Sequence, residues 1–199
     1  MKIGICATHL EDFQLPKDIS YIGVDHGVEE LLKQNIEPVF TIGDFDSLKD
    51  RETLKNLNLK ILPTRKDVTD THAAVDYAIE KGYDEIELYG VTGGRLDHFF
   101  AVICLLEKYK DIDMKIIDKQ NYICLLKPGQ HKIYSDEYKF ISFFALEESL
   151  MTLKNAKYLL HDYLLKRDDP LCVSNEVDGD YMIVENTGDI FLMKSRDMN

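Results

Sequence analysis

The chain has 199 residues, of which 45% are hydrophobic, enough to fill one large core or two small ones. Its 36 acidic residues outnumber the 24 basic ones, and the net charge of −12 leaves no basic stripe of the kind nucleic-acid binding needs, while a cationic small molecule is tolerated. No apolar run is long enough to span a bilayer and no signal pattern opens the chain, so neither membrane nor nucleic acid is an expected partner and the expected compartment is the cytoplasm.

The first half alternates strand and helix patterns. Residues 2–7, 21–24, 38–42, 59–62, 85–89 and 114–117 are short, apolar and β-rich, and residues 28–34, 47–57, 70–81 and 96–109 carry helical apolar spacing or strong helix formers. Such alternation predicts a mainly parallel sheet with right-handed crossovers. Beyond about residue 119 the pattern changes to β-branched and aromatic runs at 122–126, 132–134, 139–146, 158–160, 181–184 and 190–193, punctuated by Pro128-Gly129, Asp178-Gly179 and Thr187-Gly188-Asp189. The predicted fold is therefore an amino-terminal α/β domain, residues 1–122, followed by a carboxyl-terminal antiparallel β-sandwich, residues 123–199. Cys6, Cys104, Cys124 and Cys172 form no CxxC pair, sit mostly among aliphatic residues and read as buried free thiols.

The chemistry gathers behind the first-half strands. Gly43 closes the run 38–42, and Asp44 and Asp46 follow two apart, which puts both carboxylates on one side of an extended backbone, with Ser47 placed to cap the next helix. Hard cations such as Mg²⁺ are held at such strand ends by one or two carboxylates together with substrate phosphates. An acidic turn that merely caps a helix is the plain alternative. Asp25-His26-Gly27 ends an earlier strand: Gly27 allows a tight turn into a helix, and Asp25 is a candidate for touching a nucleotide or metal, although turn chemistry alone also accounts for it.

Arg65-Lys-Asp-Val-Thr-Asp-Thr71 opens another helix, which Thr69 or Asp70 can cap. Capping leaves Lys66 and Asp67 unexplained. A cation and two carboxylates on the same sheet edge as Asp44 and Asp46 would let Asp67 and Asp70 hold metal while Lys66 meets phosphate. In Tyr89-Gly-Val-Thr-Gly-Gly-Arg-Leu-Asp-His98 the pair Gly93-Gly94 permits close backbone approach, Arg95 offers a planar fork for phosphate, and Asp97 adds a carboxylate at a helix start. Neither GxxxxGK[ST] nor GxGxxG is present. Three such clusters at successive strand ends describe a basin for a metal and a polyphosphate.

The set Asp25-x-Gly27, Gly43-Asp-Phe-Asp-Ser47, Lys66-Asp-x-Thr-Asp70 and Gly93-Gly-Arg-x-Asp-His98 resembles bacterial thiamine pyrophosphokinases, and Ser174-Asn-Glu-Val177 is similar to a late segment of that family. The resemblance implies an α/β nucleotide-binding catalytic domain, a sandwich that binds thiamine and dimerises, and a homodimer with shared active sites. It implies transfer of pyrophosphate from ATP to the hydroxyl of thiamine, with Mg²⁺. On that reading Asp44, Asp46, Asp67 and Asp70 form the metal set, and Asp25, Gly27, Lys66, Gly94, Arg95 and His98 bind ATP. Arg95 stabilises phosphate charge, Asp97 orients the acceptor or a metal-bound water, and Ser174 and Asn175 hydrogen-bond the aminopyrimidine. The chain departs from the family pattern at His26, Val102 and Val177, and it contains no Trp to stack on thiamine. Two other classes stay open: a phosphatase using Asp44-Phe-Asp46 as an aspartate-nucleophile motif, and a sensor that binds nucleotide or thiamine without turnover.

Overall fold

The computed structural model describes residues 1–8, 10–43, the backbone of 59–61, and 68–198. The chain separates into two compact units, Met1–Lys119 and Gln120–Asn199.

In the first unit, strands β1 (Lys2–Cys6), β2 (Tyr21–Val24), β3 (Phe40–Gly43), β4 (Leu59–Ile61), β5 (Glu85–Tyr89) and β6 (Asp113–Ile117) alternate with helices α1 (Gly27–Lys33), α2 (Asp70–Glu80) and α3 (Leu96–Lys108). The strands lie in the order β4-β3-β2-β1-β5-β6, and every pairing is parallel. All of β2, and β1 from Ile3 onward, are buried, as expected of a parallel sheet covered on both faces. Ile3, Ile5, Ile22, Val24, Ile42, Ile86 and Leu88 make the core, against which α2 sets Ala74, Val75 and Ala78 and α3 sets Val102, Leu105 and Leu106. The end of α2 follows from one glycine: Gly82 adopts φ +84°, its N–H donates to Ile79 O and the Tyr83 N–H reaches back to Ala78 O, a Schellman closure. The predicted helix 47–57 lies outside the described residues.

The second unit is all β: β7 (Asn121–Leu126), β8 (Gly129–Ile133), β9 (Phe140–Ala145), β10 (Glu148–Lys154), β11 (Leu160–Lys166), β12 (Met182–Asn186) and β13 (Ile190–Ser195). Antiparallel sheets β7-β13-β9 and β11-β10-β12-β8 share a core that includes Ile141, Phe143 and Leu192 from the first and Met151, Leu153, Leu165 and Val184 from the second. This is the predicted antiparallel sandwich, with two differences. Strand β10 has no counterpart among the predicted strands, and β11 begins where the predicted strand 158–160 ends. Both escape the period-2 rule because polar and apolar residues trade faces: Ser149 points inward while Leu150 and Leu164 face solvent. Ser149 is tolerated inside because its Oγ accepts the N–H groups of Thr187 (3.1 Å) and Gly188 (3.0 Å), fastening the β12–β13 turn.

Helix α1 approaches β1 so closely that a Cβ at Gly27 would stand 1.9 Å from the Cys6 carbonyl oxygen. Gly27→Ala is therefore expected to cost about 2 kcal/mol or more, visible as a lowered midpoint in thermal or urea unfolding.

Candidate active site

Chain order reverses at β1. Strands β2, β3 and β4 are laid down on one side of it and β5 and β6 on the other, so the carboxyl ends of β1 and β5 flank a topological switch point, where ligands of open α/β sheets collect. A crevice of about 250 Å³ lies there, lined by Ala7 and Thr8 after β1, by Gly90, Val91 and Thr92 after β5, by Thr69 and Thr71 at the start of α2, and by Gly94, Arg95 and His98 at the start of α3.

Its walls are set by short contacts. Gly90 sits at φ +63°, and a Cβ there would lie 2.7 Å from Thr8 O, so only glycine lets the two strand ends close up. Thr8 Oγ1 donates to Gly90 O at 2.6 Å, and Thr92 Oγ1 donates to Asp118 Oδ2 at 2.6 Å, which secures both ends of the turn. Nothing stands within 4 Å of the Cβ position at Gly94. Its backbone is thus open to an incoming group, as the double glycine suggested.

Arg95 is the N-cap of α3, and Asp97 lies in the first turn, where the helix dipole favours a carboxylate. The two side chains face each other: Nε donates to Asp97 Oδ1 at 3.1 Å and Nη2 to Oδ2 at 2.5 Å, while Asp97 Oδ1 also accepts the His98 N–H at 3.0 Å. The Arg95 guanidinium holds the Asp97 carboxyl below its ordinary range, and Asp97 raises Arg95 in turn. The pair is exposed, so a phosphate can displace Asp97 at little cost. In this arrangement Asp97 orients Arg95; the His98 side chain is exposed beside it.

Asp25 follows β2 at φ +47°, and its N–H donates to Ile42 O at 3.1 Å. A Cβ at Gly43 would meet Asp25 Oδ1 at 2.1 Å, so the carboxylate lies directly over the end of the neighbouring strand. Gly27, read from sequence as freeing a turn, is required for helix–strand packing. Thr69 caps α2 by accepting the His72 N–H at 3.2 Å, which leaves Asp70 as the first helical residue between two crevice threonines. Asp44, Asp46, Lys66 and Asp67 lie outside the described residues. Among the described residues no three His, Cys, Asp or Glu side chains converge as a metal site.

The second unit holds its own pocket, of about 460 Å³, between Leu153, Tyr158, Leu160, Leu171, Cys172, Val173, Ser174 and Asn175. Tyr158 (60% exposed), Leu171 and Val173 give it an apolar rim, and burial pushes the Cys172 thiol up to about 11, keeping it protonated and inert at neutral pH. Ser174 takes the left-handed φ of +58° and donates its N–H to Ser142 Oγ at 3.0 Å. Asn175 is 5% exposed, and its main chain exchanges both hydrogen bonds with Ile141 (2.8 and 2.9 Å). The structure therefore brings Ser174 and Asn175 together in one pocket. Tyr158, which the sequence pattern places in a strand over 158–160, precedes β11 and lines this pocket instead.

Inorganic pyrophosphate is expected to raise the thermal midpoint of the chain through the open amide of Gly94 and the Arg95 fork, and Arg95→Ala should abolish that rise in a thermal-shift titration.

Comparison with known proteins agrees with both halves. Residues 15–117 match the family described as thiamin pyrophosphokinase, catalytic domain, and residues 130–191 match thiamin pyrophosphokinase, vitamin B1 binding domain. A thiamine pyrophosphokinase of Bacillus subtilis is 40% identical over 166 residues, covering 79% of this chain and 78% of that one. The crystal structure of a Bacillus subtilis thiamine pyrophosphokinase superposes with a TM-score of 0.89 at 33% identity over 100% of both chains. That of the Geobacillus thermodenitrificans protein gives 0.86 at 31% identity over 100% and 99%.

Proposed function

The chain belongs to the thiamine pyrophosphokinase family, and from that premise we infer that it transfers pyrophosphate from ATP to the hydroxyl of thiamine, giving thiamine diphosphate and AMP. The observation that carries this reading is the presence, in family order, of a switch-point crevice built for an anion and a separate apolar pocket in the sandwich. The thiamine hydroxyl oxygen attacks the β-phosphorus in line, the bond from that phosphorus to the oxygen bridging to the α-phosphate breaks, AMP leaves with the bond's electrons, and the hydroxyl proton is released.

Residues of the first unit, as the nucleotide- and metal-binding domain, take the phosphates. Gly94 offers its unobstructed backbone, Lys66 and Arg95 hold the terminal pyrophosphate as one transferable group, and Asp97 keeps the Arg95 fork aimed until phosphate replaces it. Asp25, Gly27 and His98 border the nucleotide. Asp44, Asp46, Asp67 and Asp70 are the proposed Mg²⁺ ligands, directly or through water: an all-oxygen donor set suits a hard cation, and Asp25 already places a carboxylate over the end of β3. Bound there, Mg²⁺ would neutralise the charge that develops on the phosphate oxygens. The second unit takes thiamine at the pocket of Ser174 and joins two chains into a homodimer whose sites are shared, in the cytoplasm.

Product chromatography tests the reaction. AMP is expected, and only with thiamine present; thiamine-dependent ADP would mean γ-phosphoryl transfer, inorganic phosphate without acceptor dependence a phosphatase, and no product a sensor. Arg95→Ala should lower kcat/KM by about 10²–10³. Excess chelator should abolish turnover and Asp70→Asn should lower kcat by about 10² or more, whereas full activity in chelator would remove the metal from the scheme. Sedimentation is expected to show a dimer, and an active monomer would remove the shared site.

A further inference from the structure

The residue that looks most like a ligand contact in the sandwich pocket is already engaged. Asn175 Oδ1 accepts the Tyr158 N–H at 3.0 Å and the Glu176 N–H at 2.9 Å, and Nδ2 donates to Tyr158 O at 2.8 Å. The amide thus pairs with the Tyr158 peptide as a strand residue pairs with its partner, one donor and one acceptor each way.

The surroundings explain why it does so. Segment 155–158 runs beside segment 175–178: Asp178 N–H donates to Asn155 O at 2.9 Å, Ala156 bridges Val177 in antiparallel fashion, and Lys157 N–H donates to Glu176 O at 3.0 Å. At Tyr158 this small ladder would run out of main-chain partners, because the main chain of Asn175 has turned to pair with Ile141 of β9. The Asn175 side chain replaces the missing partner. One buried residue therefore ties the Tyr158 wall of the pocket, through its amide, to β9, through its backbone. Lys157, paired with Glu176 at 2.6 Å and 5.7 Å from the centre of the Tyr158 ring, supports the same wall from outside.

The geometry points to Asn175 as a positioning residue, which fixes Tyr158 as a wall of the substrate pocket. The assignment rests on thiamine being the occupant of this pocket. It replaces the sequence-based expectation that the Asn175 amide itself hydrogen-bonds the aminopyrimidine. A side chain whose oxygen already accepts two hydrogen bonds and whose nitrogen donates to a carbonyl has little left to offer, and rotating it toward a ligand would strand the Tyr158 N–H and C=O in a partly buried site.

A double-mutant cycle on the full-length enzyme tests this. Asn175→Ala should raise the KM for thiamine about tenfold, the size set by losing a buried hydrogen-bond partner, and leave kcat and the KM for ATP within about threefold. In a Tyr158→Ala background the same substitution should add less than about twofold, because the wall it positions is gone. In a Tyr158→Phe background its effect should persist, since the bonds run to main-chain atoms that phenylalanine keeps. Amide hydrogen exchange at Tyr158 should quicken in Asn175→Ala without any ligand present. If Asn175→Ala does not fold, Asn175→Asp serves in the same cycle: it keeps the acceptor for the two N–H groups and sets an oxygen against the Tyr158 carbonyl. Full additivity of Asn175→Ala and Tyr158→Ala, or an unchanged KM for thiamine in Asn175→Ala, would overturn the assignment while leaving the reaction intact. A wild-type enzyme that forms no thiamine-dependent AMP would overturn the reaction, and the assignment with it.

Discussion

The rest of the first unit depends on how closely the ends of β1 and β5 approach. Two parallel ladders meet on β1, and beyond them Ala7 N–H still donates to Tyr89 O at 3.0 Å while Gly90 lies against Thr8. Any side chain at Gly90 would force the two strand ends apart and reshape the crevice between them. Because the strands on either side of β1 are reached in opposite directions, the loops after β1 and β5 diverge and leave room between them, which is why the crevice forms there and not along the middle of the sheet. Four glycines serve this edge for different reasons: Gly27 seats a helix on a strand, Gly43 yields space to a carboxylate, Gly90 closes two strand ends and Gly94 leaves the space beside its Cα open.

The charge balance sets the chemistry that such an edge can support. A chain with a net charge of −12 does not attract a polyphosphate by its overall field, so local cations must reverse the sign. Arg95 is held at the helix start by Asp97, which keeps the guanidinium aimed before the anion arrives and leaves it exposed enough to exchange partners. The same acidity suits a positively charged acceptor. The two substrates of the proposed reaction thus make opposite demands, met on separate units.

The sandwich shows how buried polar groups specify a β structure. Ser149 and Asn175 are both buried, and each supplies partners to main-chain groups that strands alone leave unsatisfied. Ser149 fastens a turn. Asn175 continues a ladder by one rung and so shapes the pocket wall.

Much of the α/β unit was legible in the sequence because its signals are local. Strands buried on both faces read as short apolar runs, helices as periodic patterns between caps and glycines, and Thr69 and Gly82 mark helix ends through contacts within a few residues. The family motifs are equally local, since each is a short run of sequence. What the sequence could not decide depends on groups distant in the chain: that Gly27 answers to Cys6 and Gly90 to Thr8, that β10 sets an inward serine against the β12–β13 turn, and that Asn175 spends its amide on Tyr158. An asparagine can serve a ligand, a turn or a neighbouring strand with the same donors and acceptors, and only the fold decides which of these partners comes within hydrogen-bonding reach.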